Sequence, residues 1–570
     1  MKRVLQKAKA LILPPRPDPA QSRRIAESRL LVSGAVAIVL VLSIGMRIVT
    51  LADANASTRV VQTNDQTNAE RGRILDRNGR LLAGNLPITL LHADPSEIMN
   101  ITEAAEKLAP LLPHHSVASL QTLLGKKARY VELDRQLTPK RHAAILKLGI
   151  PGIHFTDSQT RIYPRHRAAA HILGQVDPDN NGIAGIEKSL NTQLAGGKDI
   201  ALSIDLGVQA VMKTEIKNQI DLFKAIGGAG VLLDIHTGEI LGMTSFPDFN
   251  PNSLGMASGD ARFNRATKGL YEMGSTFKVL NTAIALETGA ASIDQQFEVS
   301  KPLRISRFTI TDYHPYQRPL NVPEILVYSS NIGSALMAEA VGAETQRAYM
   351  KKLGLLDRLD LELPETAQPL SPTTWRRTTT ATVSYGHGIS VSLVHLASAI
   401  GAASGSGQRI QPTLLKRNIG DTPVQMRVFS DGTARAVRSM MRLVVSHKDG
   451  TGNFAEAPGY MVGGKTGTAE KITQTGGYSR KANIATFVAT FPVHDPRYVL
   501  AILVDEPKGQ KHSHGYATAG WVAAPAVKRI VEQIAPILGV LPVDEESPSI
   551  RQKLMLQFKI GNKEATLASY

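Results

Sequence analysis

The sequence predicts a multidomain α+β protein with one transmembrane helix near the N-terminus, an elongated pedestal, and a larger domain in which helices flank an antiparallel sheet. Three observations predict it. Leu30–Met46 (LLVSGAVAIVLVLSIGM) carries no charge, and no comparable second segment appears. Two pairs of apolar runs, one around Thr237-Gly238 and one across Pro492–Pro496, read as β-hairpins. Between them, from about residue 261 to 400, helical patterns dominate.

With 570 residues there is chain enough for two or three folded parts. Hydrophobic residues at 43% and charged residues at 20% match an ordinary globular protein. The absence of cysteine excludes a thiol nucleophile, a disulfide scaffold, an iron–sulfur cluster and a cysteine-ligated zinc site. Lys plus Arg at 65 against Asp plus Glu at 49 gives +16. Such a balance suits nucleic acid, an anionic membrane or an anionic cell-wall polymer. The charge is dispersed, aromatic residues are only 5%, and no zinc finger or RNA-binding signature occurs, so no nucleic-acid partner is expected.

Taken in order, residues 1–29 form a basic leader. Lys2, Arg3, Lys7, Lys9, Arg16, Arg23, Arg24 and Arg29 are opposed only by Asp18 and Glu27. This bias predicts a cytoplasmic tail ahead of a single-pass anchor at 30–49, with the rest of the chain exported. The small residues Ala52, Ala54 and Ala56 raise the alternative of a cleaved signal peptide. The long leader and long apolar run argue against it. Residues 50–70, rich in Asn, Thr and Gln, suit a juxtamembrane linker.

Residues 71–224 are assigned to the pedestal. RGRILDRNGRLLA (Arg71–Ala83) contains a hairpin signal at Asn78-Gly79, and 101–149 alternate helix-like patterns with breaks. The region carries no catalytic constellation. Residues 225–545 form the main domain, with apolar runs in GGAGVLLDIHTGEILGMTS, NIATFVATF and RYVLAILVDE and an amphipathic helix within Ala519–Leu538. Residues 546–570 are expected to be a flexible tail.

Chemistry concentrates in three places. In YEMGSTFKVLNTAIALETG (Tyr271–Gly289), Ser275 and Lys278 are three apart, so a helix sets hydroxyl and amine on one face. A serine hydroxyl needs a base to become a nucleophile. Lys278 serves only when neutral, which requires burial or neighbouring cations to lower a reference pKa of about 10.4. Unpaired N–H groups at the helix start suit a developing oxyanion. The second place is VYSSNIGSALM (Val327–Met337), where Ser329, Ser330 and Asn331 precede a helical pattern; alone it reads as a helix cap.

The third is VGGKTGTAE (Val462–Glu470). GYMVGGKT (Gly459–Thr466) formally matches a phosphate-binding loop, but Pro458 precedes it and little helical signal follows. A glycine-rich turn with a solvated lysine is the simpler alternative. Read with the other two places, Lys465 becomes a fixed cation that favours neutral Lys278 and attracts a carboxylate, to which Thr466 and Thr468 offer hydroxyls.

S-x-x-K, S-x-N and K-T-G, in this order, resemble the motif set of penicillin-binding proteins and serine β-lactamases. The whole chain, over roughly 30–542, resembles a class B penicillin-binding protein. The pedestal stretches RGRILDRNG (Arg71–Gly79) and HILGQVDPDNNGIAGIE (His171–Glu187) extend that resemblance. SYGHGISVS (Ser384–Ser392) and TAGWVAAPAVKRI (Thr518–Ile530) make it look most like the septal, penicillin-binding protein 3 type of alphaproteobacteria, with the elongation enzymes as rival. Two departures stand out. Met273 occupies a place where the family commonly has proline, and His387 one where many relatives have glutamine.

The resemblance implies a penicillin-binding, serine β-lactamase-like transpeptidase domain that cross-links peptidoglycan stem peptides and is a target of β-lactams. Ser275 would attack the carbonyl between two terminal D-alanines, and Lys278 would take its proton. The N–H groups of Ser275 and Thr468 would hold the oxyanion. Ser329 and Lys465 would relay a proton to the leaving amine, and Asn331 would bind the substrate peptide. Thr466, Gly467 and Thr468 complete the substrate-binding set. The resemblance also implies a cytoplasmic-membrane protein with its catalytic domain in the periplasm. Its expected partners are a multispanning septal glycan polymerase and other division proteins. No cofactor or metal is expected; His512 and His514 form no compact ligand pattern. A D,D-carboxypeptidase, a β-lactamase and a noncatalytic scaffold or β-lactam sensor are the alternatives.

Overall fold

The computed structural model describes residues 70–472, 477–553, 557–560 and 563–566, together with 32, 34–35, 38–43 and 45–46. Side chains at 254, 472, 480, 481 and beyond 550 are not described. The chain divides into two units, Met1–Ala69 and Glu70–Tyr570. Most of the expected tail, anchor and linker lies outside the described residues. Those described between 32 and 46 are helical and exposed. Among the described residues no helix is long and apolar enough to cross a membrane.

The pedestal begins with β1 (Ile74–Leu75) and β2 (Leu81–Ala93). Asp76 Oδ1 accepts the N–H groups of Asn78 and Arg80, and Gly79 takes φ +79°, so the Asn-Gly signal marks a real reversal. Helices α1 (Ile101–Leu108) and α2 (Val117–Leu124) follow, then β3 (Val131–Leu137), α3 (Pro139–Leu146) and β4 (Ile153–Ile162). Asn100, Ser116 and Thr138 cap the three helices by accepting an N–H three residues on. β2 pairs with β3 and β4, and Leu91, Leu108, Leu120 and Leu133 join sheet and helices in one core. Strand β3 falls where the sequence shows mainly helix-like patterns. Its alternation of buried and half-exposed residues is too short to stand out.

Two pedestal stretches meet through charge. Glu187, fully buried, accepts from Arg71 at 2.7 Å and from Arg161 at 2.7 Å. One carboxylate thus ties the Arg71 segment to the Glu187 segment.

Helix α4 (Leu206–Leu222) follows. The sequence assigns it to the pedestal, yet Val208, Met212, Ile216 and Ile220 pack into the core of the main sheet. Spacing by four puts them on one face, which the sheet and the helix Ala524–Ile537 cover together.

The main sheet contains β5 (Gly227–Asp234), β6 (Ile240–Phe246), β7 (Gly463–Ile472), β8 (Tyr478–Phe491) and β9 (Tyr498–Asp505), ordered β7-β8-β9-β5-β6 and antiparallel throughout. Both faces are buried: Val231 and Leu233 point to one core, Leu232 to the other. Double burial explains why these strands read as continuous apolar runs. One face is covered by α4 and by helices α5 (Ala519–Val522) and α6 (Ala524–Ile537), within the expected amphipathic segment. The other supports the helical part, including the buried helices at Phe277–Glu287 and Leu393–Ser404.

The expected flexible tail contains a helix at Pro548–Lys553 and a hairpin pairing Gln557–Ile560 with Lys563–Thr566. Ile550 is buried in the main core, which gives the helix an attachment that composition did not reveal. The architecture is multidomain α+β, as the patterning predicts.

Candidate active site

A single turn of 3-10 helix, Gly274–Thr276, leads into the helix Phe277–Glu287. Gly274 takes φ +54°, and a Cβ there would lie 2.9 Å from Thr468 O. A Cβ on Gly467 would lie 2.3 Å from Met273 O. The nucleophile turn and strand β7 therefore touch backbone to backbone, which requires glycine on both sides. The candidate oxyanion donors, the N–H groups of Ser275 and Thr468, come from these two segments. Met273, where proline would stiffen the turn, is buried in the core instead.

Ser275 Oγ lies 3.0 Å from Lys278 Nζ. Lys278 is fully buried, and its Nζ also lies 2.5 Å from Ser329 O, 2.7 Å from Asn331 Oδ1 and 3.1 Å from Ser329 Oγ. The first two of these are pure acceptors. A neutral amine has two N–H bonds for them and a lone pair left for a hydroxyl proton. Burial lowers the Lys278 pKa well below the ordinary lysine value, the Lys465 charge lowers it further, and Asp312 opposes both.

The Ser-x-Asn segment is also a helix cap, but the roles divide by residue. Ser330 caps the helix Asn331–Val341 by accepting from Gly333 N at 3.0 Å. Ser329, at φ +62°, turns its hydroxyl and carbonyl toward Lys278. The Asn331 amide gives one N–H to Thr311 O at 3.0 Å, its oxygen faces Lys278, and the residue lines the cleft. Asp312 holds this turn, accepting from Ser330 Oγ at 2.6 Å, Asn331 N at 2.5 Å and Ile332 N at 3.0 Å. Sequence reasoning missed Asp312, which sits in a loop with no pattern of its own.

Lys465 is fully buried on β7, not solvated on a turn, and no helix follows it as a phosphate-binding loop demands. Its Nζ lies 3.0 Å from Ser329 Oγ and 3.4 Å from Thr451 Oγ1. Burial brings its pKa down to about 7. Thr466 Oγ1 bonds Thr451 Oγ1 at 2.8 Å, and Thr468 Oγ1 accepts from Ala519 N at 3.1 Å. Thr451 was also missed, for want of any motif around it.

These groups open into a cleft of about 730 Å³, lined by Ser275, Ser329, Asn331, Thr466 and Thr468 and, farther out, by His387, Glu470, Phe454 and Trp521. His512 packs on Phe223 and His514 on Trp521, so the two histidines serve different contacts. Among the described residues no group of three or more ligating side chains could hold a metal ion.

Residues 228–532 match the family model of the penicillin binding protein transpeptidase domain, and residues 66–206 that of the penicillin-binding protein dimerisation domain. The chain belongs to the penicillin-binding protein transpeptidases. This penicillin-binding protein is similar to the probable peptidoglycan D,D-transpeptidase FtsI of Caulobacter vibrioides, 41% identical over 82% of each chain. It is also similar to the peptidoglycan D,D-transpeptidase FtsI of Escherichia coli K12, 31% identical over 80% of this chain and 82% of the relative. Among solved structures, penicillin binding protein 3 from Mycobacterium tuberculosis in complex with ampicillin superimposes with a TM-score of 0.68 at 25% identity, covering 84% of this chain and 98% of that one.

Proposed function

We propose that this penicillin-binding protein is a serine-type peptidoglycan D,D-transpeptidase that cross-links stem peptides through an acyl-enzyme on Ser275. The observation that carries this reading is the Lys278 amine, 3.0 Å from Ser275 Oγ and held by two pure acceptors. Ser275 attacks the carbonyl between the terminal D-alanines and Lys278 takes its proton. The Ser275 and Thr468 N–H groups stabilise the oxyanion, where preorganised donors contribute most to rate. Ser329 and Lys465 form a hydroxyl–amine path that returns a proton to the leaving D-alanine. Thr466 and Thr468 receive its carboxylate across Gly467, and the Asn331 amide receives the donor peptide. An amine of a neighbouring stem then attacks the ester.

The test is intact mass of the purified full-length chain after exposure to benzylpenicillin, for wild type and Ser275→Ala. A persistent single adduct in wild type alone supports the reading. A folded wild type with no adduct overturns it, and rapid turnover without accumulation points to a β-lactamase. The ampicillin complex of the mycobacterial relative supports β-lactams as ligands.

The septal role, with membrane attachment through residues 30–49, a periplasmic catalytic domain and a glycan polymerase and other division proteins as partners, rests on similarity to the FtsI relatives. Depletion tests it: filamentous cells fit a septal enzyme, rounded cells an elongation enzyme.

A further inference from the structure

His387 lies in a turn pressed against the nucleophile. A Cβ on its neighbour Gly386 would come 2.2 Å from Gly274 O, so the two backbones are in contact. Its side chain is 26% exposed and lines the same cleft as Ser275. Nδ1 lies 3.2 Å from Oε2 of Glu272, a carboxylate only 5% exposed. Glu272 Oε1 is engaged by Gly388 N at 2.7 Å and Tyr478 OH at 3.2 Å. Among the described residues Oε2 has no hydrogen-bonded donor and faces only the imidazole. A buried carboxylate oxygen left without a donor is costly. Nδ1 is 3.2 Å from Oε2 without forming a hydrogen bond to it; a tautomer with the hydrogen on Nδ1 would give Oε2 a donor after a small ring rotation and leave the Nε2 lone pair on the ring edge away from the carboxylate.

The other groups facing this ring do not accept protons. Tyr385 and Tyr478, with ring centroids 5.5 and 5.6 Å away, have pKa values raised by burial first and by Glu272 second, so both remain phenols. Exposed Glu470, lining the cleft with His387, adds negative charge that attracts an incoming ammonium.

We propose that His387, oriented by Glu272, receives the acceptor amine and takes its proton in the second half-reaction. This rests on the transpeptidase reading above. The acceptor arrives as an ammonium ion and gives one proton to His387 Nε2, which later passes it to water. The freed nitrogen attacks the ester carbonyl, forming the N–C bond. The C–Oγ bond then breaks, and the second proton leaves the nitrogen through Lys278 for Ser275 Oγ. Water needs no such deprotonation before it is admitted, so His387 favours aminolysis over hydrolysis.

The experiment uses the full-length chain with an acyl-D-alanyl thioester as donor and D-alanine as acceptor amine. It reads the partition of the acyl-enzyme between amide and acid for wild type, His387→Gln and Glu272→Gln. The expected result is a fall in the amide-to-acid ratio of roughly 10²-fold in His387→Gln and a smaller fall in Glu272→Gln. Wild-type partition in both folded variants overturns the proposal, and should His387→Gln fail to fold, Glu272→Gln decides alone by the same criterion. Failure of wild type to form any acyl-enzyme would instead overturn the transpeptidase reading.

Discussion

Lys278 and Lys465 converge on one hydroxyl: their Nζ atoms lie 3.1 and 3.0 Å from Ser329 Oγ. Both side chains are fully buried. Two ammonium ions in such a place repel, and burial penalises each. The pair is best charged once, and Ser329 is placed to carry a proton between the two amines.

This coupling sets the pH dependence of acylation. With neutral Lys278 as the proposed base, the acylation rate is expected to rise with pH through its lowered pKa. Removing the Lys465 charge by Lys465→Met takes away one cause of that lowering. The expected outcome is a profile displaced to higher pH, together with a lower plateau from the lost carboxylate partner. Second-order acylation rates with benzylpenicillin across the pH range check it.

Substitution of the base itself should be more severe. Lys278→Met removes proton acceptance from Ser275, and loss of a positioned base costs about 10²–10⁴-fold. It also strands Ser329 O and Asn331 Oδ1, each costing about 1–3 kcal/mol of stability. Acylation rate and thermal unfolding should therefore fall together.

Asp312 should behave as a positioning residue. Asp312→Ala removes the acceptor for Ser330 Oγ, Asn331 N and Ile332 N, freeing the turn that aims Ser329 and Asn331. Misplacement of about 1 Å can cost roughly 10²-fold in rate. The expected signature is slow acylation with stability lowered only by the loss of a cap, about 0.5–2 kcal/mol.

The contact between the nucleophile turn and β7 offers a steric test. Gly467→Ala would place its Cβ 2.3 Å from Met273 O, which is backbone and cannot rotate away. Overpacking costs about 1–3 kcal/mol, and separating Ser275 from Thr468 should abolish most acylation. Calorimetry and adduct mass read the two effects.

In the pedestal, Glu187→Gln should destabilise strongly. It leaves Arg71 and Arg161 buried without a counter-charge. Breaking a buried pair costs about 3–5 kcal/mol, visible as a lower unfolding temperature and earlier proteolysis of the pedestal.

Local patterns in the sequence were enough for several of these features. Ser275 and Lys278 were legible because a helix repeats every 3.6 residues. The hairpins at Asn78-Gly79 and Thr237-Gly238 were legible because turns need particular residues. Strand β3 was not, since its alternation is brief. The allegiance of α4 was not, because an amphipathic helix declares that it has an apolar face and not which surface will cover it. Asp312, Thr451 and the Glu272–His387 contact had no local signature at all.

S-x-x-K, S-x-N and K-T-G could be read, with their order, from the sequence alone because each is a local chemical pattern. Their surroundings and charge state come from contacts distant in the chain. Lys278 is held by acceptors 51 and 53 residues away, and Ser329 meets Lys465 across 136 residues. Burial and charge proximity, which set protonation, are properties of space rather than of sequence separation.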